Sequence, residues 1–193
     1  MVKTTAKTLG VTALALALAA SLVLILSTQV SRAATITVDS LDDTTTAGDN
    51  DCTLREAIAN ANADGDTTGG DCDAGTGADT IGFGVTGVIT ITGGTLRITD
   101  DDTTINGDVG GVAGEPDIEV RYASGTIGDG LIEIASSNNH IEGLAVTNSS
   151  EIGIYIDGNG QESDSNTLKN NWIGVDLTGA PRGNGTYGVY IWH

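Results

Sequence analysis

Several groups of residues in this chain have the types and spacing that chemistry requires. Asn60, Asn62, Asp64, Asp66 and Asp71 follow one another through a Gly-containing loop. Asn60, Asn62, Asp64 and Asp71 stand at loop positions 1, 3, 5 and 12 and Gly65 at position 6, the order of a helix-to-loop calcium site. Three positions depart from that order. Asn60 stands first, Thr67 replaces an apolar residue, and Asp71 replaces the closing Glu. Calcium is the one candidate cofactor, and an acidic turn is the plain alternative. Asp100-Asp101-Asp102 is the densest acidic run. Paired carboxylates can hold a cation or divide acid and base roles, but adjacent turn positions point apart, and a run between strands is expected to be a solvated corner. His140 stands alone, with no nucleophile or carboxylate at a telling spacing, so triad chemistry is not expected. The basic residues Arg55, Arg97, Arg121, Lys169 and Arg182 are scattered, and no carboxylate pair is placed by repeat spacing to face one of them. No catalytic residue is therefore assigned.

The elements that must position these residues start with a targeting segment. Lys3 and Lys7 precede an uncharged apolar run from Val11 to Leu26, and Ser31 and Ala33 are small residues at −3 and −1 of a cleavage point. This is the secretory pattern, and an uncleaved signal anchor is the alternative because the run is long for such a segment. Residues 1–33 are read as signal peptide and 34–79 as an N-terminal cap region. Residues 80–193 are read as the repeated body, ending in the apolar run Tyr190-Ile191-Trp192 and so expected to be truncated. Lys3, Lys7 and Arg32 leave with the signal and no acidic residue does, so the net charge of −18 becomes −21. Such a chain repels nucleic acid and anionic lipid.

Thr53 and Glu56 have the Thr-x-x-Glu spacing of a capping box. Leu54, Ala57, Ile58 and Ala61 recur at i, i+3, i+4 and i+7, one apolar stripe. The spacing predicts a short helix from about 54 to 61 that must lie on something, since alone it is marginal. Glu56 is expected to serve the cap, and Arg55 to bond a nearby carboxylate or the first coil. Cys52 and Cys72 flank the loop that follows. Export and an even count predict that they are bonded; free thiols are the alternative, and no third or fourth soft ligand is near for a metal.

Thr35-Ile36-Thr37-Val38 reads as a first strand. From Thr80 onward short β-branched runs alternate with turns, among 28 glycines and two prolines in all. Gly153-Ile154-Tyr155-Ile156 recurs as Gly188-Val189-Tyr190-Ile191, an offset of 35, and Asn139-His140-Ile141 returns as Asn166-Thr167-Leu168, an offset of 27. Matching strands at unequal offsets suit a solenoid with insertions at its corners. The expected buried set is Ile81, Ile89, Ile91, Ile105, Ile134, Ile141, Val146, Ile154, Ile156, Leu168, Ile173, Val189 and Ile191. Alternation puts Tyr155 and Tyr190 on one outer face with Trp192 beside them. Such a face binds sugars or proteins, or merely stabilises the sheet.

The run Cys52-Thr53-Leu54-Arg55-Glu56-Ala57 closely resembles the Cys-Ser-Leu-Arg-Glu-Ala signature of the CSLREA domain, with Thr53 for Ser. The stretch from Asn166 to Gly179, with Gly183-Asn184-Gly185 and Gly188-Val189-Tyr190-Ile191 after it, resembles a repeat of right-handed parallel β-helix surface proteins. The resemblance implies an all-β fold, a right-handed parallel β-helix (solenoid) with a short N-terminal capping helix. It implies a secreted or cell-surface protein and no chemistry; with the aromatic face, the expected role is structural, adhesive or glycan-binding, with a glycan or cell-surface partner. The alternative is a polysaccharide lyase or glycoside hydrolase whose site lies in later coils. No membrane span is expected in the mature chain unless the signal stays uncleaved.

Overall fold

The computed structural model describes residues 33–158 and 163–192; the expected signal peptide lies outside them, apart from Ala33. Short strands with β-branched residues alternate with turns along the whole described chain. In chain order they are β1 (Thr35–Val38), α1 (Leu54–Ala63), β2 (Thr80–Phe83), β3 (Gly87–Ile91), β4 (Leu96–Ile98), β5 (Thr104–Asn106), β6 (Ile118–Tyr122), β7 (Gly130–Ile134), β8 (His140–Glu142), β9 (Leu144–Thr147), β10 (Ile152–Asp157), β11 (Thr167–Lys169), β12 (Trp172–Ile173) and β13 (Tyr187–Trp192).

The strands form three sheets, β1-β2-β5-β8-β11, β3-β6-β9-β12 and β4-β7-β10-β13. Every pairing within them is parallel. From β2 onward the chain visits the first, second and third sheet in that order and repeats the circuit four times. Among the described residues the fold is therefore mostly β, with three parallel sheets and one helix.

Register lines up like with like. Ile36, Ile81, Ile105, Ile141 and Leu168 form one inward column. Ile89, Val120, Val146 and Ile173 form a second. Ile98, Ile134, Ile156 and Ile191 form a third. No circuit can bury its inward face alone; the columns do so by stacking. Of the expected core, the residues from Ile81 through Ile156 are buried, and Leu168 and Ile173 pack partly against them. Val189 and Ile191 depart from expectation, at 39% and 52% exposed. They continue the columns of Ile154 and Ile156, but β13 is the edge of its sheet, so a neighbour covers them on one side only.

Asparagines tie the corners. Asn139 Oδ1 accepts from Thr103 N at 3.0 Å, and Asn166 Oδ1 from Asn139 N at 2.8 Å. Asn171 Oδ1 accepts from Leu144 N, and its amide donates to Ile141 O. Asn184 does the same with Ser149 N and Val146 O. Asn166, Asn171 and Asn184 thus each bond a backbone N–H and a C=O of the preceding circuit, satisfying polar groups that a corner takes out of the ladder, while the Asn139 amide donates to Ser136 Oγ. Asp79 occupies the equivalent place in the first circuit, where it accepts from Ala34 N.

The helix forms where the capping box predicts and runs two residues further than expected. Thr53 Oγ1 accepts from Glu56 N, Glu56 Oε2 accepts from Thr53 N, and Asp64 ends the helix in the left-handed conformation. Leu54, Ala57, Ile58 and Ala61 are buried, and α1 packs against β1 and β4. It thereby lies over the edge strand of the third sheet. Asn62 completes the cover by acting as a corner asparagine from the helix, donating to Arg97 O at 2.8 Å and accepting from Thr99 N at 2.8 Å.

Near this end three carboxylates act on a fourth, Asp100. Burial raises the Asp100 carboxyl above its ordinary value, and Asp64, Asp79 and Asp101 add to the rise. A carboxyl raised on folding costs stability while ionised, and the cost disappears as pH falls through its folded value to the unfolded one. Asp100→Asn is therefore expected to raise the thermal midpoint at pH 7, with the gain gone below about pH 3.8, the ordinary value of this group. Melting curves of both proteins from pH 3 to 8 check this; a lower midpoint in the variant at pH 7 would contradict it.

Candidate functional site

The residues of the candidate calcium loop do not converge. Asn60 is fully buried, and its Oδ1 accepts from Thr67 N and Thr67 Oγ1, both at 2.7 Å. Its amide donates to Cys72 O and Asp73 O. Asn62 is spent on the corner after β4. Asp64 accepts from Gly77 N, Asp66 from Thr68 N and Gly70 N, and Asp71 from Gly48 N and Asn50 N. These oxygens bond main chain in several different places, and among the described residues no group of three acidic, His or Cys side chains is placed to hold a metal ion. The loop order that resembles a calcium site is instead a set of turns folded around Asn60. Cys52 and Cys72 are bonded across this loop, with Cα atoms 4.8 Å apart.

The signature pair is structural in its contacts. Arg55 Nε donates to Asp43 Oδ1 at 2.8 Å and its Nη2 to Gly94 O at 2.8 Å. Asp43 Oδ2 accepts from Thr92 N and Gly93 N, each at 2.7 Å. Burial acts to raise the Asp43 carboxyl, but Arg55 and these N–H donors outweigh it and hold it below its ordinary value. A Cβ at position 93 would stand 3.0 Å from Arg55 Nη2, so a larger residue there would push the guanidinium aside by a few tenths of an ångström.

Two expectations about charge are overturned. His140 has a carboxylate partner, with Nε2 3.2 Å from Glu142, and Lys169 lies on the same oxygen at 3.2 Å. Arg97 also faces a carboxylate, since it is in register with Glu133 on the next strand and pairs with it at 2.9 Å. The Arg97–Glu133 pairing does not show in the spacing, because the circuits differ in length, whereas His140 and Glu142 stand two apart on β8 and so on one face. Asp100-Asp101-Asp102 is the corner that was expected, between β4 and β5.

The third sheet carries the candidate site on its outer face. Arg97, Glu133, Tyr155 and Tyr190 form one register column across β4, β7, β10 and β13. Asp157 follows Tyr155 two residues on, so it faces the same way, and accepts from the Tyr155 hydroxyl at 3.2 Å. Burial first, and then this bond, push the Tyr155 phenol to about 12, so it remains a donor at neutral pH. Burial raises the Glu133 carboxyl; Arg97 opposes this, Asp157 and Asp129 add to it, and the balance lies above the ordinary value.

The aromatic part of this face is differently arranged from the expectation. Tyr155 stacks on Tyr190 with centroids 5.8 Å apart, and Tyr190 stacks on Tyr187 at 5.2 Å. Trp192 meets Tyr190 edge-on at 6.3 Å. Tyr155 is only 8% exposed, covered within its column, and Tyr190 is half-buried in the middle of the stack. The open rings are Tyr187, 50% exposed, and Trp192, 47%. Tyr187 was not among the expected surface residues. Its three-residue spacing from Tyr190 falls outside strand alternation, and only the ring stack reveals the partnership.

Comparison with protein-family models, with curated proteins and with solved structures returned no match. The site is therefore read from its own geometry. Among the described residues no helix is long and apolar enough to cross a membrane.

Proposed function

We propose that this chain is an exported right-handed parallel β-helix protein of the CSLREA type, with a structural or adhesive role exercised by binding glycans at the outer face of the third sheet. The repeated three-sheet circuit supports the β-helix, and parallel crossover connections are overwhelmingly right-handed. The secretory pattern of residues 1–33 supports export, as does the disulfide, which persists in oxidising compartments.

The observation that carries the binding reading is the stack Tyr155–Tyr190–Tyr187 with Trp192 at its edge, open at Tyr187 and Trp192 and bordered by Asp157 and Glu133. Flat rings with one wet face take the apolar face of a sugar, while polar groups beside them take its hydroxyls. Tyr187→Ala/Trp192→Ala is expected to weaken retention of glycans by about tenfold or more, on the order of 1–3 kcal/mol for two aromatic contacts, with the melting curve little changed. Affinity electrophoresis of the mature chain through polysaccharide gels measures it. An unaltered mobility shift in the variant would leave the rings as a sheet-stabilising ladder only.

A carbohydrate-active enzyme is the second reading. Here the Arg97–Glu133 pair, with Asp157 and Asp129 near it, favours it. Hydrolysis needs a free acid and a free base on either side of the bond. Arg97 engages Glu133 and the Tyr155 hydroxyl engages Asp157, so binding is the better-supported activity. Release of reducing ends that is lost in Glu133→Gln would establish the enzyme instead.

A further inference from the structure

We infer that the glycan-binding face takes uncharged chains and rejects polyuronates and other anionic glycans; this rests on the glycan-binding reading above. Each basic residue after the signal segment is already paired with a carboxylate. Arg55 is on Asp43, Arg97 on Glu133, Arg121 on Glu119, Lys169 on Glu142 and Arg182 on Asp176, at 2.8 to 3.5 Å. Recognition of an acidic sugar needs a cation whose donors are available to its carboxylate. Among the described residues of the third sheet Arg97 is the only cation, and its charge is offset by Glu133, which its Nε meets at 2.9 Å.

The groups bordering the open rings have the opposite chemistry. Asp157, in register with Trp192, accepts from the Tyr155 hydroxyl, and Glu133 is in register with Tyr155; Asp129 adds its charge at both Tyr155 and Glu133. Ionised carboxylates are acceptors only. They accept from the hydroxyls of a neutral sugar whose C–H face lies on Tyr187 or Trp192. A uronate would bring another carboxylate against three, and the donors beside it, the tyrosine hydroxyls and the Trp192 N–H, are neutral and do not offset that repulsion.

The whole chain is acidic, so long-range repulsion alone would disfavour polyanions at low salt. At 1 M salt the screening length is about 3 Å, and only contacts in the site remain. The experiment is affinity electrophoresis of the mature chain at 1 M NaCl with β-glucan, mannan and xylan as neutral probes, and polygalacturonate and alginate as acidic ones. Retention by at least one neutral chain, at least tenfold tighter than by either acidic chain, is expected. Asp129→Asn/Asp157→Asn is expected to lose at least tenfold of the neutral affinity, with Asp129→Asn alone as the control that leaves the Tyr155 bond intact. Equal or tighter retention of polyuronate at 1 M salt overturns this inference and leaves the glycan-binding reading standing. So does neutral affinity unaltered in both variants. Retention of no glycan overturns the binding reading, and the inference with it.

Discussion

Leu54→Asp is expected to abolish the closed end of the molecule. Leu54 is 1% exposed in the first turn of α1, where α1 covers β1 and β4. The substitution removes a buried leucine, a loss of roughly 1.5–3 kcal/mol, and places a carboxylate in an apolar site without a designed partner. Together these cost about 4 kcal/mol or more, which lowers the thermal midpoint by roughly 8–16 °C in a domain of this size. The edge of β4 and the inward columns would then be open to other chains, so aggregation should rise with the loss of the lid. Leu54→Met keeps the volume and should cost less than about 1.5 kcal/mol. Chemical denaturation and light scattering of the three proteins check it. A midpoint for Leu54→Asp within 2 °C of the parent would mean that α1 is not what closes the stack.

Removing the disulfide is expected to have the next largest effect. Cys52 and Cys72 stand 20 residues apart. Closing a loop of that size restricts the unfolded chain by about 3 kcal/mol in the chain-entropy view. Both cysteines are buried, and the bridge joins the residue before the helix cap to the loop folded around Asn60. Cys52→Ser/Cys72→Ser should therefore unfold at lower denaturant by an amount equivalent to about 3 kcal/mol, and reduction of the parent protein should reproduce most of it. A loss below about 1 kcal/mol would show that the Asn60 network alone holds the loop.

Both predictions concern a region that was largely legible before the structure. The capping box is local: Thr53 and Glu56 are three residues apart, and the helix that contains them decides whether they meet. The apolar stripe of α1 and the alternation in β3, β4 and β10 are equally local, since period 3.6 and period 2 follow from backbone geometry. The likeness of Gly153–Ile156 to Gly188–Ile191 predicts the pairing of β10 with β13, which register confirms at Ile154 and Val189. Helix length was less legible. The pattern stops at Ala61, whereas α1 runs to Ala63, in the turn that carries Asn62 to the corner after β4.

The loop from Asn60 to Asp71 shows the limit of that reading. Its residue types and order resemble a metal loop, yet which atom each oxygen meets depends on segments brought in from elsewhere. Asn62 bonds Arg97 across 35 residues, and Asp71 bonds Gly48 across 23. The ion pair on the third sheet behaves alike: Arg97 meets Glu133 across 36 residues, a separation set by the insertion in the second circuit and not by any repeat in the sequence.

What the sequence by itself determined is therefore whatever a few neighbouring residues settle: the cap, the helix, the strand faces, the cysteine pair and the acidic character of the chain. Tertiary structure alone decided which side chains share a face. It buried Tyr155, left Tyr187 and Trp192 open, placed Glu133 beside Arg97 and left Val189 and Ile191 half-covered at an edge. The physical reason is that stacking circuits of unequal length sets register through space. A residue's neighbours on the outer face then come from other circuits, at distances along the chain that no local period encodes.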